Sequence, residues 1–381
     1  MYAPQSLHHL LFLMLYGGVA MIAFIAGLYL WLRRSNAIEP EVAPPKALRR
    51  WTAAFFVTAG MSHVWWYVLG VYWLADDRLV RNIICIMLDH ITLVPLVIAL
   101  LLRMLQDRQR RIWPWVAVQV FVIGSAAVGI ATHSDYGLEL MHQCQVGIIV
   151  CFVTYYIYAL VKYSRWLKDN YADLDHKEVW QSLLFVVVLC LIYEAYSTNP
   201  GVMIREYLSQ VNTLIIIAFL LWRVETLQEL EATSDKDTVS CHSSQDDGDL
   251  EDSSRDAVNN LKISAQLETC CEAKQLYLQH DLTLQQLALA IGTNRTYLSS
   301  YFAQQGITYN AYINRLRIEH FKRIYPSLRT MNATQVAQQS GFHSYSTFAA
   351  AFKQFNDQSF ASWTKSQNEA NNSRVDVNET R

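Results

Sequence analysis

At 381 residues the chain is long enough for more than one domain, and an apolar fraction of 52% is high for a wholly soluble protein. The formal charge of -2 excludes a uniformly basic or acidic chain, but it averages an apolar half, an acidic middle and a mildly basic end. The seven cysteines lack the paired spacing of a disulfide framework or a zinc site, and read as small buried hydrophobes.

A hydrocarbon core of about 30 Å needs roughly 20 mainly apolar residues per helix. Seven segments qualify as predicted spans: Leu10–Leu32, Trp51–Trp73, Val80–Leu102, Ile112–Thr132, Cys144–Val161, Val179–Ser197 and Met203–Trp222. The first ends at Arg33 and Arg34 rather than at a small-residue cleavage site, so it is expected to stay as a spanning helix. The loops after the first, third and fifth segments hold 13 Lys and Arg against 3 on the opposite side. Because cytoplasmic loops carry that excess, the expected topology is N-terminus outside and C-terminal region in the cytoplasm. Trp31, Trp51, Tyr72, Trp73, Trp113, Trp115 and Trp222 crowd the segment ends, as interfacial belts do.

Polar residues at mid-membrane depth are costly and invite a functional reading. His63, Asp89, His90 and Asn212 fall near the midplane, with Gln145 and Glu194 toward the outer leaflet near His133 and His142. They are candidate sensor residues for a small ligand or a proton. The alternative is that they only hydrogen-bond helix to helix. The histidines lack a tight metal-ligand spacing, so no metal and no cofactor is expected, and the seventh segment has no Lys for a retinal Schiff base.

Residues 223–259 read as an acidic flexible linker. From Arg223 to Asp256 there are eleven Asp or Glu against three Lys or Arg. As a coil of about 35 residues it would reach roughly 30–35 Å, enough to present a small domain clear of a bilayer. Val224, Leu227 and Leu230 are spaced to extend the seventh helix and pair two chains into a homodimer. Residues 368–381 read as a disordered tail.

Between Lys262 and Lys365 ten basic residues face five acidic ones. Thr283 with Gln286 forms a capping-box pair ahead of Leu284, Leu287 and Ala288. Gly292 then makes a turn and Asn294 caps a helix that buries Tyr297, Leu298 and Phe302. The pattern recurs: Asn332 with Gln335, Val336 and Ala337, a turn at Gly341 and Phe342, then a helix from about Tyr345 burying Phe348 and Phe352. Helix, short Gly-containing turn, helix is a helix-turn-helix unit, and two of them on a connecting helix over Tyr309 to Tyr325 could meet successive major-groove faces. The expected fold is therefore all-α: a polytopic seven-helix transmembrane bundle over residues 1–222, then an all-helical domain over 260–367 with two helix-turn-helix units.

The stretches LTLQQLALAIGTNRTYLSSYF, GITYNAYINRLRIEHFKRI and ATQVAQQSGFHSYSTFAAAFKQF resemble the DNA-binding domain of the AraC/XylS family of bacterial transcription regulators over roughly residues 260–367. Membership would imply promoter DNA and RNA polymerase as partners, usually in activation. Carried over by position, the base-reading places are Thr296, Ser299 and Ser300 in the first recognition helix and Tyr345, Ser346, Thr347 and Ala350 in the second, with Arg295 and Lys353 on phosphate. Ala350 stands where the family often carries Arg, which can grip guanine bidentately. The family's Gly-x-Thr-Pro reads Asp357, Gln358, Ser359, Phe360 here, so modest base discrimination is expected, made up by dimerisation or shape readout.

With no Gly-rich phosphate loop, metalloprotease His-Glu motif or nucleophile elbow, no enzyme is expected. The reading is a membrane-bound one-component transcription regulator. Its rival is a small-molecule transporter with a DNA-binding tail, which inverted repeats or broken helices would favour. A third reading, a membrane anchor for a DNA-binding domain, predicts that the midplane polar residues tolerate apolar replacement.

Overall fold

The computed structural model describes residues 7–33, 36–38, 45–70, 77–132, 135–198, 203–230, 252–328 and 332–367. Among them the chain is helical without strands, apart from one isolated β-bridge. It divides into two compact units: residues 1–163 with 176–233, and residues 164–175 with 234–381.

A helix occupies each predicted segment: α1 (Leu7–Leu32), α2 (Lys46–Val68), α3 (Arg78–Met104), the pair α4 (Trp113–Ala117) and α5 (Val120–Thr132), α6 (Asp135–Asn170), α7 (Gln181–Thr198) and α8 (Met203–Thr226), all in the first unit except the end of α6 from Ser164. Five stretches are long and apolar enough to cross a membrane: Leu10–Leu32, Leu79–Met104, Trp113–Thr132, Glu139–Asn170 and Tyr207–Thr226. α2 falls short of that test despite its length, because Ser62, His63, Trp65, Trp66 and Tyr67 dilute its apolar content. In α7 the described stretch Gln181–Cys190 is apolar. α1 leaves Met14, Met21, Ile25, Leu28 and Trp31 exposed, an apolar stripe suited to lipid. Its other side meets α2 at close range, where a Cβ on Gly27 would lie 2.9 Å from Val57 and 3.1 Å from the Ala53 carbonyl.

Two boundaries differ from the sequence reading. α6 runs 36 residues, about 54 Å of helix, so it outlasts a hydrocarbon core by more than 20 Å and carries Lys162, Arg165 and Lys168 on helix rather than in a loop. The first residues of the expected linker are also folded. Val224, Leu227 and Leu230 are buried within this chain, not presented to a second copy. Glu225 accepts from the Tyr29 hydroxyl and the Ala37 amide, and Arg223 donates to the Glu178 carbonyl. Gln106 pins both the Gln228 carbonyl and the Leu230 amide, each at 2.9 Å. The remaining linker residues 231–251 and the tail 368–381 lie outside the described residues.

In the second unit α9 (Asp252–Gln266) leads through a π turn, Leu267–Glu272, and a 3-10 turn, Leu276–Leu278, into α10 (Leu284–Ala290), α11 (Arg295–Gln304), α12 (Tyr309–Leu328), α13 (Ala333–Gln339) and α14 (Tyr345–Asn356). α12 supplies two separate cores. Tyr312, Ile313 and Leu316 pack with Leu284, Leu287, Leu298 and Phe302, while Ile318, Phe321 and Tyr325 pack with Val336, Phe342, Phe348 and Phe352. Each helix-turn-helix unit therefore owns its own core, and one rigid helix fixes their spacing.

Candidate nucleic-acid interface

Local chemistry sets both units. Thr283 Oγ1 accepts from the Gln286 amide at 3.2 Å, and Gln286 Oε1 accepts from the Thr283 amide at 2.9 Å. Asn332 and Gln335 repeat the box at 2.8 and 3.1 Å. Asn294 caps α11 through the Tyr297 amide at 2.9 Å, and Ser344 caps α14 through the Thr347 amide at 3.3 Å. Each cap satisfies an otherwise orphaned donor and fixes where a recognition helix starts.

On α11, Leu298 and Phe302 are buried while Thr296 and Ser300 are exposed; Arg295 and Ser299 are half-buried. Tyr297, expected inside, is exposed at 55%, because at the third position of α11 it points away from the Leu298–Phe302 face. On α14, Phe348 and Phe352 are buried, Tyr345, Ser346, Ala350 and Lys353 are exposed, and Thr347 is half-buried. The departure at the family's glycine is accommodated: Asp357 takes the left-handed conformation, φ 53°, as C-cap of α14. Ser359 then caps a last helical stretch, residues 360–367, through the Ser362 amide at 3.1 Å, seating Phe360 and Trp363 on the second core.

Behind this face lies Arg317, fully buried. Its Nε donates to the Tyr277 carbonyl at 2.7 Å and its Nη2 to those of Gln279 and His280 at 2.5 and 3.2 Å. Its guanidinium lies over the Phe342 ring at 5.4 Å. Burial lowers its pKa to about 10, leaving it charged at neutral pH. Cys271 is buried beside it, its thiol pushed up to about 12 by desolvation, and is therefore an inert packing residue. Sequence reasoning passed over Arg317; of the three arginines of α12, Arg315, Arg317 and Arg323, it is the one that falls four residues after Ile313 and four before Phe321, on the apolar face, and that was the available signal.

In the first unit Asp89 accepts from Ser62 at 2.7 Å, Trp65 at 3.2 Å and Trp66 at 2.8 Å. His63, next to Ser62 on α2, makes its hydrogen bonds elsewhere. His63 Nδ1 is 2.8 Å from the Ala59 carbonyl and Nε2 is 3.0 Å from Gln210 Oε1, while the Tyr16 hydroxyl donates to the His63 carbonyl at 2.9 Å. His90 is buried with Nδ1 2.7 Å from the Ile86 carbonyl. Asn212 is half-buried on α8, and Gln145 is buried on α6. Glu194 lies on α7 with its side chain outside the described residues, and His133 lies outside the described residues altogether. Among the described residues no cluster of His, Cys, Asp and Glu could hold a metal.

A helix-turn-helix domain family matches residues 287–366. Uncharacterized HTH-type transcriptional regulators of Staphylococcus aureus strains MRSA252 and COL are 34% and 33% identical over 89 residues, which is 23% of this chain and 12% of each relative. The chain thus shares only a small part of those proteins' length. No solved structure matches. Two capped, separately cored units on one connecting helix, together with these matches, make residues 287–366 a helix-turn-helix DNA-binding domain of the AraC/XylS type, in a chain whose N-terminal half carries helices apolar enough to span a membrane.

Proposed function

We propose that the chain is a membrane-bound one-component transcription regulator, in which a helical sensor within the bilayer controls promoter binding by the C-terminal domain. The observation that carries this reading is the presence, in one chain, of five membrane-competent helices and two helix-turn-helix units with exposed polar recognition faces. Thr296, Ser299, Ser300, Tyr345, Ser346 and Thr347 read bases, and Arg295 and Lys353 hold phosphates. The polar set around His63, Asp89, His90, Asn212 and Glu194 receives the signal. The N-terminus faces outside and the DNA-binding domain the cytoplasm of a bacterial inner membrane, following the 13-to-3 distribution of basic residues. RNA polymerase, a second copy of the chain and a small ligand complete the partners. Nothing in this reading requires catalysis.

Reporter fusions after Asp77 and after Gln109 should report opposite sides of the membrane, and a fragment from Ser253 to Arg381 should retain duplex DNA with affinity that falls steeply as salt rises. Fusions reporting the same side would overturn the topology. A folded fragment that fails to retain DNA at low salt would overturn the function.

A further inference from the structure

Residues 164–175 cluster with the C-terminal domain. Their attachment is specific. Tyr171 and Thr283 form an antiparallel bridge, and the Ala172 amide donates to the Leu282 carbonyl at 3.3 Å. Ala172 is fully buried in the core that holds Leu282, Leu284 and Tyr309. Asn310, in the first turn of α12, donates to the carbonyls of Ala172 and Tyr171 at 2.7 and 3.3 Å.

The residues flanking this anchor reach both helix-turn-helix units. Asn170 Oδ1 accepts from Arg295 Nε at 2.9 Å, at the start of α11. Asp173 Oδ1 lies 3.5 Å from Thr347 Oγ1, in the first turn of α14, and also accepts from the Asp175 amide at 3.0 Å. Asp173 is 2% exposed, and its Oδ2 has no hydrogen-bond partner among the described residues. A carboxylate at that position does electrostatically what a phosphate would do: it meets the positive end of α14 and the charge of the buried Arg317. A buried carboxylate with one oxygen unmatched adds little to stability. That mismatch suits an occupant that is meant to leave.

We propose that residues 170–173 are an internal competitor for DNA, holding Arg295 and Thr347 so that this segment and a DNA backbone cannot occupy the recognition face together. The proposal rests on the DNA-contact roles given above to those two residues. Asn170 is the last residue of α6, so a shift of that helix would change how long the segment stays docked, and apparent DNA affinity scales with the undocked fraction.

The test uses the full chain in lipid nanodiscs and a short mixed-sequence duplex at low salt. Tyr171 and Thr283 are the non-hydrogen-bonded pair of their bridge, the close pairing in an antiparallel ladder, so Tyr171→Cys with Thr283→Cys should lock the segment by a disulfide. The locked protein should lose DNA binding and regain it on reduction, with Thr283→Cys alone insensitive to reductant. Asn170→Ala with Asp173→Ala should tighten binding about tenfold, the equivalent of one lost charge-assisted contact. A locked form that binds as well as its reduced form, or an Asn170→Ala, Asp173→Ala protein with unchanged affinity, overturns the proposal and leaves the DNA-binding function standing. Failure of every form to bind, including the fragment Ser253–Arg381 that lacks the segment, overturns both.

Discussion

Gly341 offers the sharpest test of how the second unit is built. It turns the chain between α13 and α14 at φ 84°, and a Cβ there would lie 2.9 Å from the Leu278 Cα, 3.1 Å from the Leu278 carbonyl oxygen and 3.3 Å from Arg317 Nε. Those atoms cannot easily yield, because Arg317 ties the carbonyls of Tyr277 and Gln279 on either side of Leu278. Gly292 makes the equivalent turn in the first unit at φ 72° with nothing within 4 Å of the added carbon. Gly292→Ala should therefore cost only the left-handed strain, about 1–2 kcal/mol. Gly341→Ala adds overpacking of about 1–3 kcal/mol to the same strain. For a domain of about 100 residues each kcal/mol moves Tm by roughly 4–8 °C. Thermal unfolding of the Ser253–Arg381 fragment by circular dichroism should show Gly341→Ala losing roughly 4–24 °C more Tm than Gly292→Ala loses. Equal losses would refute the claim that the 3-10 turn packs rigidly against the second helix-turn-helix.

Asp357→Gly should raise the fragment's stability by about 0.5–1 kcal/mol in urea unfolding, since glycine removes the left-handed strain at the end of α14. Desolvation and the nearby Arg323 hold the His320 pKa below its usual 6.5, so the unfolded chain binds protons more readily. Stability should be level above pH 6.5 and decline as pH falls below it, and His320→Asn should flatten that decline. Arg295→Ala and Lys353→Ala should weaken binding to all duplexes alike and each reduce the salt slope by about 1, whereas Ser300→Ala should chiefly relax sequence preference. Asp89→Leu, which strands the donors of Ser62, Trp65 and Trp66, should abolish regulation of a target promoter at normal membrane levels. Unaltered regulation would reduce that cluster to interhelical glue.

What was legible in the sequence was local. The capping boxes at Thr283 and Asn332, the caps at Asn294 and the turns at Gly292 and Gly341 are each decided within four residues, and all stand in the structure. The polar membrane residues were legible as a set but not in their pairing. Ser62, Trp65 and Trp66 are spaced i, i+3, i+4 and share the face of α2 that meets Asp89, whereas His63 sits about 100° around the helix and finds Gln210 instead. The apolar rhythm of Val224, Leu227 and Leu230 was visible, but a rhythm does not say whether its partner is the same chain or another. Nor does any periodicity mark Ala172 as a core residue of a domain that begins some 80 residues later, because a bridge of one residue pair carries no pattern.

The energetics of that attachment fit a switch better than a scaffold. Its side-chain contacts to the recognition helices are one good hydrogen bond, Arg295 to Asn170, and one at the limit of reach, Thr347 to Asp173. Each of these bonds has a charged partner and contributes about 1.5–3 kcal/mol at good geometry, and the unmatched oxygen of Asp173 offsets about 1–3 kcal/mol of a total to which Asn310 and the buried Ala172 also add. The net is small, of the order of the roughly 1–3 kcal/mol that couples sites in allosteric proteins. A contact of that size can depress DNA affinity by one or two orders of magnitude and still be released by a change of a few hydrogen bonds elsewhere. The polar set of the membrane half is made of interactions of the same size: Asp89 with three neutral donors, and His63 with an amide and a carbonyl. By contrast Arg317, with three carbonyl acceptors and no exposure, is too costly to uncover and belongs to the fixed frame against which the segment docks.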